Sequence, residues 1–138
     1  MKQHQKDEVG RLFGHLVQGH FDEFLAGCAT DLIITVRGST PEETTFITSD
    51  VPDWYGSIQA MARTSLRSSV EVSTIDGNQA FVILRHAFER NGVNYELEMA
   101  NRCEFRRGLL SSWSSYPLNL PAYERVWKLQ ELTALQLA

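Results

Sequence analysis

Between residues 79 and 107, apolar and polar side chains alternate in two long runs hinged at Asn91-Gly92. Gln79 to Arg90 leads in, and Val93 to Phe105 leads out. Asn-Gly between alternating runs predicts a hairpin, because both residues tolerate the positive φ of a type I′ turn. A two-residue loop sets Arg90 opposite Val93. His86 then faces Leu97, Phe88 faces Tyr95, Leu84 faces Met99 and Val82 faces Asn101. Side chains alternate sides along a strand, so these residues share one face. Phe81, Ile83, Arg85, Ala87 and Glu89 share the other with Glu96, Glu98, Ala100 and Arg102, and Arg85 lies opposite Glu98 as a pair of opposite charge. The first face is apolar except for His86 and Asn101.

The same pattern predicts the neighbouring elements. Val9, Leu12, Phe13, Leu16 and Val17 recur at helical spacing, and Gly19 ends that helix. Phe21, Phe24, Leu25 and Cys28 mark a shorter second helix, and Leu32 to Val36 reads as a first strand. Residues 38–53 have loop composition, with a short extended piece at Thr45-Phe46-Ile47. Asp53 is the expected N-cap of a third helix carrying Trp54, Tyr55, Ile58, Met61, Ala62 and Leu66. Trp54 and Tyr55 read as core or as the mouth of a pocket. Val70 and Val72 open the strand before the hairpin. A three-residue loop, Asp76-Gly77-Asn78, sets Val72 opposite Val82 and Val70 opposite Leu84, whereas a two-residue loop would bring Glu71 onto the apolar face. Arg107-Gly108 turns into a last strand, Leu109 to Leu118. A regular pairing there sets Leu110 opposite Phe105, Ser112 opposite Cys103, Ser114 opposite Asn101 and Tyr116 opposite Met99. It leaves Trp113 on the charged face beside Arg102, in reach of a cation–π contact. Pro117 and Pro121 stop the sheet, and residues 122–137 form a final helix with Tyr123, Val126, Trp127, Leu129, Leu132 and Leu135.

Composition narrows the function classes. A chain of 138 residues is expected to be one domain, 1–138, with its core at about 7–120 and a helical extension at 121–138. A net charge of −4 disfavours a nucleic-acid partner, since phosphate binding needs a basic surface. Cys28 and Cys103 lack metal or redox spacing and read as buried thiols in a reducing compartment. The polar N-terminus and the lack of a long apolar segment point away from a signal peptide and a membrane partner, so a soluble cytoplasmic protein is expected. His4, His15 and His20 form no ligand triad, so no metal and no cofactor are expected.

The order helix, helix, strand, loop, helix and then four long antiparallel strands resembles the nuclear transport factor 2-like superfamily and its SnoaL-like members, the polyketide cyclases and steroid Δ-isomerases. The resemblance is carried by Ala29 to Gly38, by Trp54-Tyr55-Gly56-Ser57-Ile58, and by Cys103 to Leu110 running on to Tyr116. It implies an α+β, cystatin-like cone, a curved antiparallel sheet wrapped around N-terminal helices, with a C-terminal helix. The apolar hairpin face would line its pocket. The convex face, with Phe81, Ile83, Ala87 and Trp113 among charges, would form a homodimer burying about 1,200 Å² or more. Steroid isomerases of this family use a Tyr on the first helix, an Asp base near the end of the first strand and a protonated Asp on the hairpin's second strand. Phe13, Thr35 and Asn101 occupy those places here, and only Asn101 keeps a donor, which disfavours the isomerase reading. A family Asp that commonly follows the closing Tyr is replaced by Pro117-Leu118.

The expected site therefore has His86 as the base, with Asn101 or Tyr116 binding an oxyanion. Trp54, Tyr55, Val82, Leu84, Phe88, Tyr95, Leu97, Met99 and Ser114 would hold a small apolar or aromatic ligand. Burial should lower the His86 pKa. The bland alternative for His86 is a structural hydrogen bond to a tyrosine. At the level of function, cofactor-free isomerase, cyclase or dehydratase chemistry competes with a non-catalytic ligand-binding or assembly module and with a small subunit of a larger oxygenase.

Overall fold

The structure, a computed structural model, describes residues 2–37, 44–62 and 65–137. Helices α1 (Lys2–Val17) and α2 (Phe21–Ala26) lead into strands β1 (Cys28–Val36) and β2 (Thr44–Ile47). A single tight turn, Thr48–Asp50, opens α3 (Val51–Ala62). Strands β3 (Arg67–Asp76), β4 (Gln79–Arg90), β5 (Val93–Arg106) and β6 (Leu109–Pro117) follow, and α4 (Leu120–Leu137) closes the chain. The six strands form one sheet in the order β2-β1-β6-β5-β4-β3. It is mixed rather than purely antiparallel, because β1 runs parallel to β6. The helices lie on its concave side, and the core forms between. None of the described helices is long and apolar enough to cross a membrane.

The β4–β5 hairpin has the register read from its turn. His86 pairs with Leu97, Arg85 with Glu98, Phe88 with Tyr95 and Val82 with Asn101. Asn91 and Gly92 both have positive φ, as a type I′ turn requires. On the outer face Arg85 bonds Glu98 at 3.1 Å and Glu71 at 3.0 Å.

Several boundaries differ from expectation. Cys28 opens β1 instead of ending α2, and its thiol donates to the Phe24 carbonyl at 3.3 Å. Helix α3 starts ahead of Asp53, which sits exposed in its first turn. Asp50 is the residue that caps locally, accepting the Ile47 N–H at 2.8 Å. Leu66 lies past the end of α3. Residues 38–43 of the expected loop, and the side chains of Leu129, Leu132 and Leu135, lie outside the described residues.

Two one-residue bulges set the shape of the sheet. In β3 the loop is Gly77-Asn78, one residue shorter than expected, with Asp76 opposite Gln79. The pairing slips by one between Val72 and Thr74, so Val72 still meets Val82. The extra residue, Ser73, lets Ile75 and Val72, three apart, both reach the concave side. In β6 the pairing slips between Glu104 and Phe105, leaving Ser111 as the extra residue, and its hydroxyl donates to the Glu104 carbonyl at 3.1 Å. Leu110 keeps its expected partner Phe105. Beyond the bulge every residue changes face. Trp113 pairs with Cys103 and is 1 % exposed, whereas Ser114 pairs with Arg102 and Tyr116 with Ala100, both facing outward. The Trp113–Arg102 contact and an outward Trp113 are therefore excluded. A strand that must bury both Leu110 and Trp113 cannot alternate regularly between them, and a bulge is the least disruptive remedy.

A buried indole N–H needs an acceptor. Asn101 Oδ1 accepts it at 2.7 Å, while Asn101 Nδ2 donates to the carbonyls of Val82 (3.1 Å) and Met99 (3.0 Å). Removing this amide strands a buried donor and two buried carbonyls. Asn101→Leu is expected to cost about 2–4 kcal/mol in denaturant melts, while outward-facing Ser114→Ala changes stability by less than about 0.5 kcal/mol.

Candidate functional site

The structure brings most of the expected lining together. Val82, Leu84, His86, Phe88, Leu97, Met99 and Asn101 all turn to the concave side and are buried. Tyr95 is half-buried and stacks on Phe88 with ring centroids 5.2 Å apart. From α3, Tyr55 is buried and Trp54 half-buried. Ser114 and Tyr116 are the exceptions, because the Ser111 bulge sends them to the convex face and brings in Trp113 and Ser115. The apolar members of the set belong to the packed core. Val82, Leu84 and Phe88 are each 1 % exposed or less.

His86 sits in this core with both ring nitrogens engaged. Nδ1 lies 2.8 Å from Ser68 Oγ, and Nε2 lies 3.3 Å from Tyr55 Oη. A neutral imidazole donates from one nitrogen and accepts at the other, so two hydroxyls satisfy it completely. Burial without a counter-charge lowers its pKa from 6.5 to about 4, and the ring is neutral near pH 7. Burial likewise pushes the Tyr55 hydroxyl pKa up. Asn101 spends both amide hydrogens on backbone carbonyls, which leaves none for an oxyanion. Burial raises both thiol pKa values, that of Cys28 to about 12, and keeps the cysteines protonated. Among the described residues no three His, Cys, Asp or Glu side chains converge as metal ligands.

Open space lies at the mouth of the concave side. A cleft of about 400 Å³ is bounded by Val36 of β1, Phe46 of β2, the start of α3 and the first turns of α4. Phe46 and Trp54 stack on each other as one wall, 4.8 Å apart and 11° from parallel. Tyr123 and Trp127, one helical turn apart on α4, form the opposite wall with rings edge to face. Asn119 positions them by capping α4, its Oδ1 accepting the Ala122 N–H at 3.2 Å. Asp50, Asp53 and Ser57 supply the polar rim. The Trp127 indole nitrogen is buried, and the polar group it acts on is the neighbouring Tyr123 hydroxyl. The cleft communicates with the core through Trp54, which packs on Tyr55 (5.0 Å) and on Trp113 (5.4 Å).

The sequence matches no protein-family model. It matches no curated protein either. Solved structures do match. A protein from Xanthomonas campestris described as having a cystatin-like fold superposes with a TM-score of 0.70 at 13 % identity, covering 88 % of this chain and 95 % of that one. An NTF2-like protein from Burkholderia xenovorans gives 0.64 at 16 % identity, covering 91 % and 97 %. IdmH of Streptomyces antibioticus, a candidate polyketide cyclase, gives 0.68 at 16 % identity, covering 87 % and 96 %. The chain has the NTF2-like, cystatin-like fold. Identities this low carry the fold and no activity.

Within this NTF2-like cone, the hairpin pattern located the concave face but not its open end. Trp54 and Tyr55 were legible as candidates for a pocket mouth, with Asp53 beside them as an expected N-cap. Phe46, Tyr123 and Trp127 were legible only as strand and helix stripes, and nothing local in the sequence says that β2 and α4 meet across α3.

The His86 environment has a pH consequence. Its folded pKa lies below the unfolded value, so the neutral folded form is favoured above pH 6.5 and penalised as pH falls toward 4. Between pH 7 and pH 5 this single group is expected to remove about 2 kcal/mol of stability. Urea melts at the two pH values check it: His86→Gln should lose about 2 kcal/mol less over that interval than the wild type.

Proposed function

We propose that the protein binds a small, flat, largely apolar molecule in the mouth cleft, with no cofactor required. The observation that carries this reading is the pairing of an aromatic wall, Phe46 stacked on Trp54, with the polar tips of Tyr123 and Trp127 on the other wall of the same cleft. Apolar walls with a few placed polar groups are the usual form of a small-molecule site. A ring would pack against the Phe46–Trp54 wall, and a carbonyl on it would accept from the Tyr123 hydroxyl opposite. The description of IdmH as a candidate polyketide cyclase agrees with a ligand of this shape.

Cofactor-free proton transfer in an isomerase, cyclase or dehydratase is the catalytic form of this reading. His86 does not line the cleft, so Tyr55 is the group that would link it to a ligand beside Trp54. The packed interior favours the other class, a non-catalytic binding or assembly module or a subunit of a larger enzyme. The convex face supports a homodimer. Tyr116, 38 % exposed, stands there in place of Trp113, with Phe81 at 40 % and Ile83 and Ala100 close by. A homodimer through this face is part of the proposal.

Tryptophan fluorescence titrated with flat aromatic ketones tests the cleft. Saturable quenching should weaken about tenfold in Trp54→Ala. Unchanged affinity in that variant would remove the cleft from the account. For assembly, light scattering at micromolar concentration should give twice the chain mass, falling to the chain mass when Phe81 and Tyr116 are both replaced by Glu. A monomeric wild type would contradict the dimer.

A further inference from the structure

A second cleft, of about 630 Å³, lies where the first half of α1 crosses the β3–β4 and β5–β6 turns. It shares no lining residue with the mouth cleft. Its wall is mixed, and Val9 and Leu12 on α1 with Ile75 and Phe105 on the sheet supply the apolar part. Arg11 and Arg107 stand on two different elements of its wall. Arg85, Arg102 and Arg106 each hold a carboxylate, yet neither Arg11 nor Arg107 forms an ion pair among the described residues. Glu8, also on the wall, is already turned to His4 at 2.9 Å. His15, one turn beyond Arg11, lines the same cleft, and its Nδ1 is buried with no partner among the described residues. A buried ring nitrogen without a partner is costly unless something polar arrives to meet it.

We propose that this second cleft binds an amphipathic carboxylate, an anion head joined to an aryl or alkyl body. The head pairs with the guanidinium groups of Arg11 and Arg107, which suit planar oxyanions. With its proton on Nδ1, His15 gains an acceptor in the same oxyanion. The body replaces water against Val9, Leu12, Ile75 and Phe105. Two unpaired cations on a chain of net charge −4, beside an orphaned imidazole nitrogen and an apolar floor, select an anion over a neutral or cationic ligand.

Amide NMR spectra of the full chain, titrated with phenylacetate and separately with its uncharged counterpart phenylacetamide, test this. Phenylacetate should shift the amides of Gly27, Gly77 and Gly108, which border the cleft, with at least about tenfold higher affinity than phenylacetamide. Replacing both Arg11 and Arg107 by Gln should remove that preference. Neither arginine belongs to the mouth cleft, so quenching that depends on Trp54 should persist in the double variant. Equal affinity for the acid and the amide, shifts confined to Trp54 and Ser57, no shifts at all, or an unaffected double variant would each overturn the proposal.

Discussion

The indole of Trp113 joins the parts of the molecule that lie on the concave side. It meets Phe13 of α1 edge-on at 5.3 Å, Phe24 of α2 at 5.8 Å and Trp54 of α3 at 5.4 Å. Ile34 of β1 lies beside it in the parallel pairing. Three helices and strand β1 therefore register on one side chain, whose orientation is set by the Ser111 bulge and whose one polar atom is satisfied by Asn101. Truncating a buried residue of this size typically costs about 3–5 kcal/mol. Loss of the bulge would put the same ring in water and leave the helices without a common partner.

That constraint decides where a ligand can go. Trp113, Phe88, Leu84 and Val82 fill the interior, so the cleft beside them lies at the rim. Helix α4 completes the rim: Val126 is fully buried, Arg125 lies 5.3 Å over the Tyr95 ring, and Trp127 faces the cleft beside Phe46 and Trp54. The C-terminal helix is thus a wall of the candidate site as well as a cover for the open end of the cone. His86, held behind Tyr55 by two hydroxyl contacts, ties β3, β4 and α3 together; this is the structural role that the bland sequence reading allowed.

The central hairpin was legible because nothing interrupts it. Asn91-Gly92 fixes one register, and strict alternation from Gln79 to Phe105 confirms it at every pair. The flanking strands were harder, for the same physical reason on both sides. Val72 and Ile75, and Leu110 and Trp113, are apolar pairs three residues apart, an odd spacing that a regular strand puts on opposite faces. Small polar residues, Ser73-Thr74 and Ser111-Ser112, fill the gaps and prefer neither face, so local sequence does not oppose a slip. In β3 an assumed longer loop and the actual bulge give the same pairing beyond Val72, which hid the error. In β6 no such compensation exists, and Ser114 and Tyr116 were assigned to the wrong side. The odd spacing of large apolar residues was the available signal. The mouth cleft is less legible still, since it arises from elements far apart in the chain that meet only after the sheet has curved.

The account depends most directly on the face Trp113 occupies. Cross-strand contacts between β5 and β6 in the NMR spectrum of the intact protein report it. The structure requires backbone contacts of Cys103 with Trp113 and of Asn101 with Ser115, together with a slowly exchanging Trp113 indole proton. Contacts of Cys103 with Ser112 and of Asn101 with Ser114, with a rapidly exchanging indole proton, would restore the unbulged strand and contradict the account.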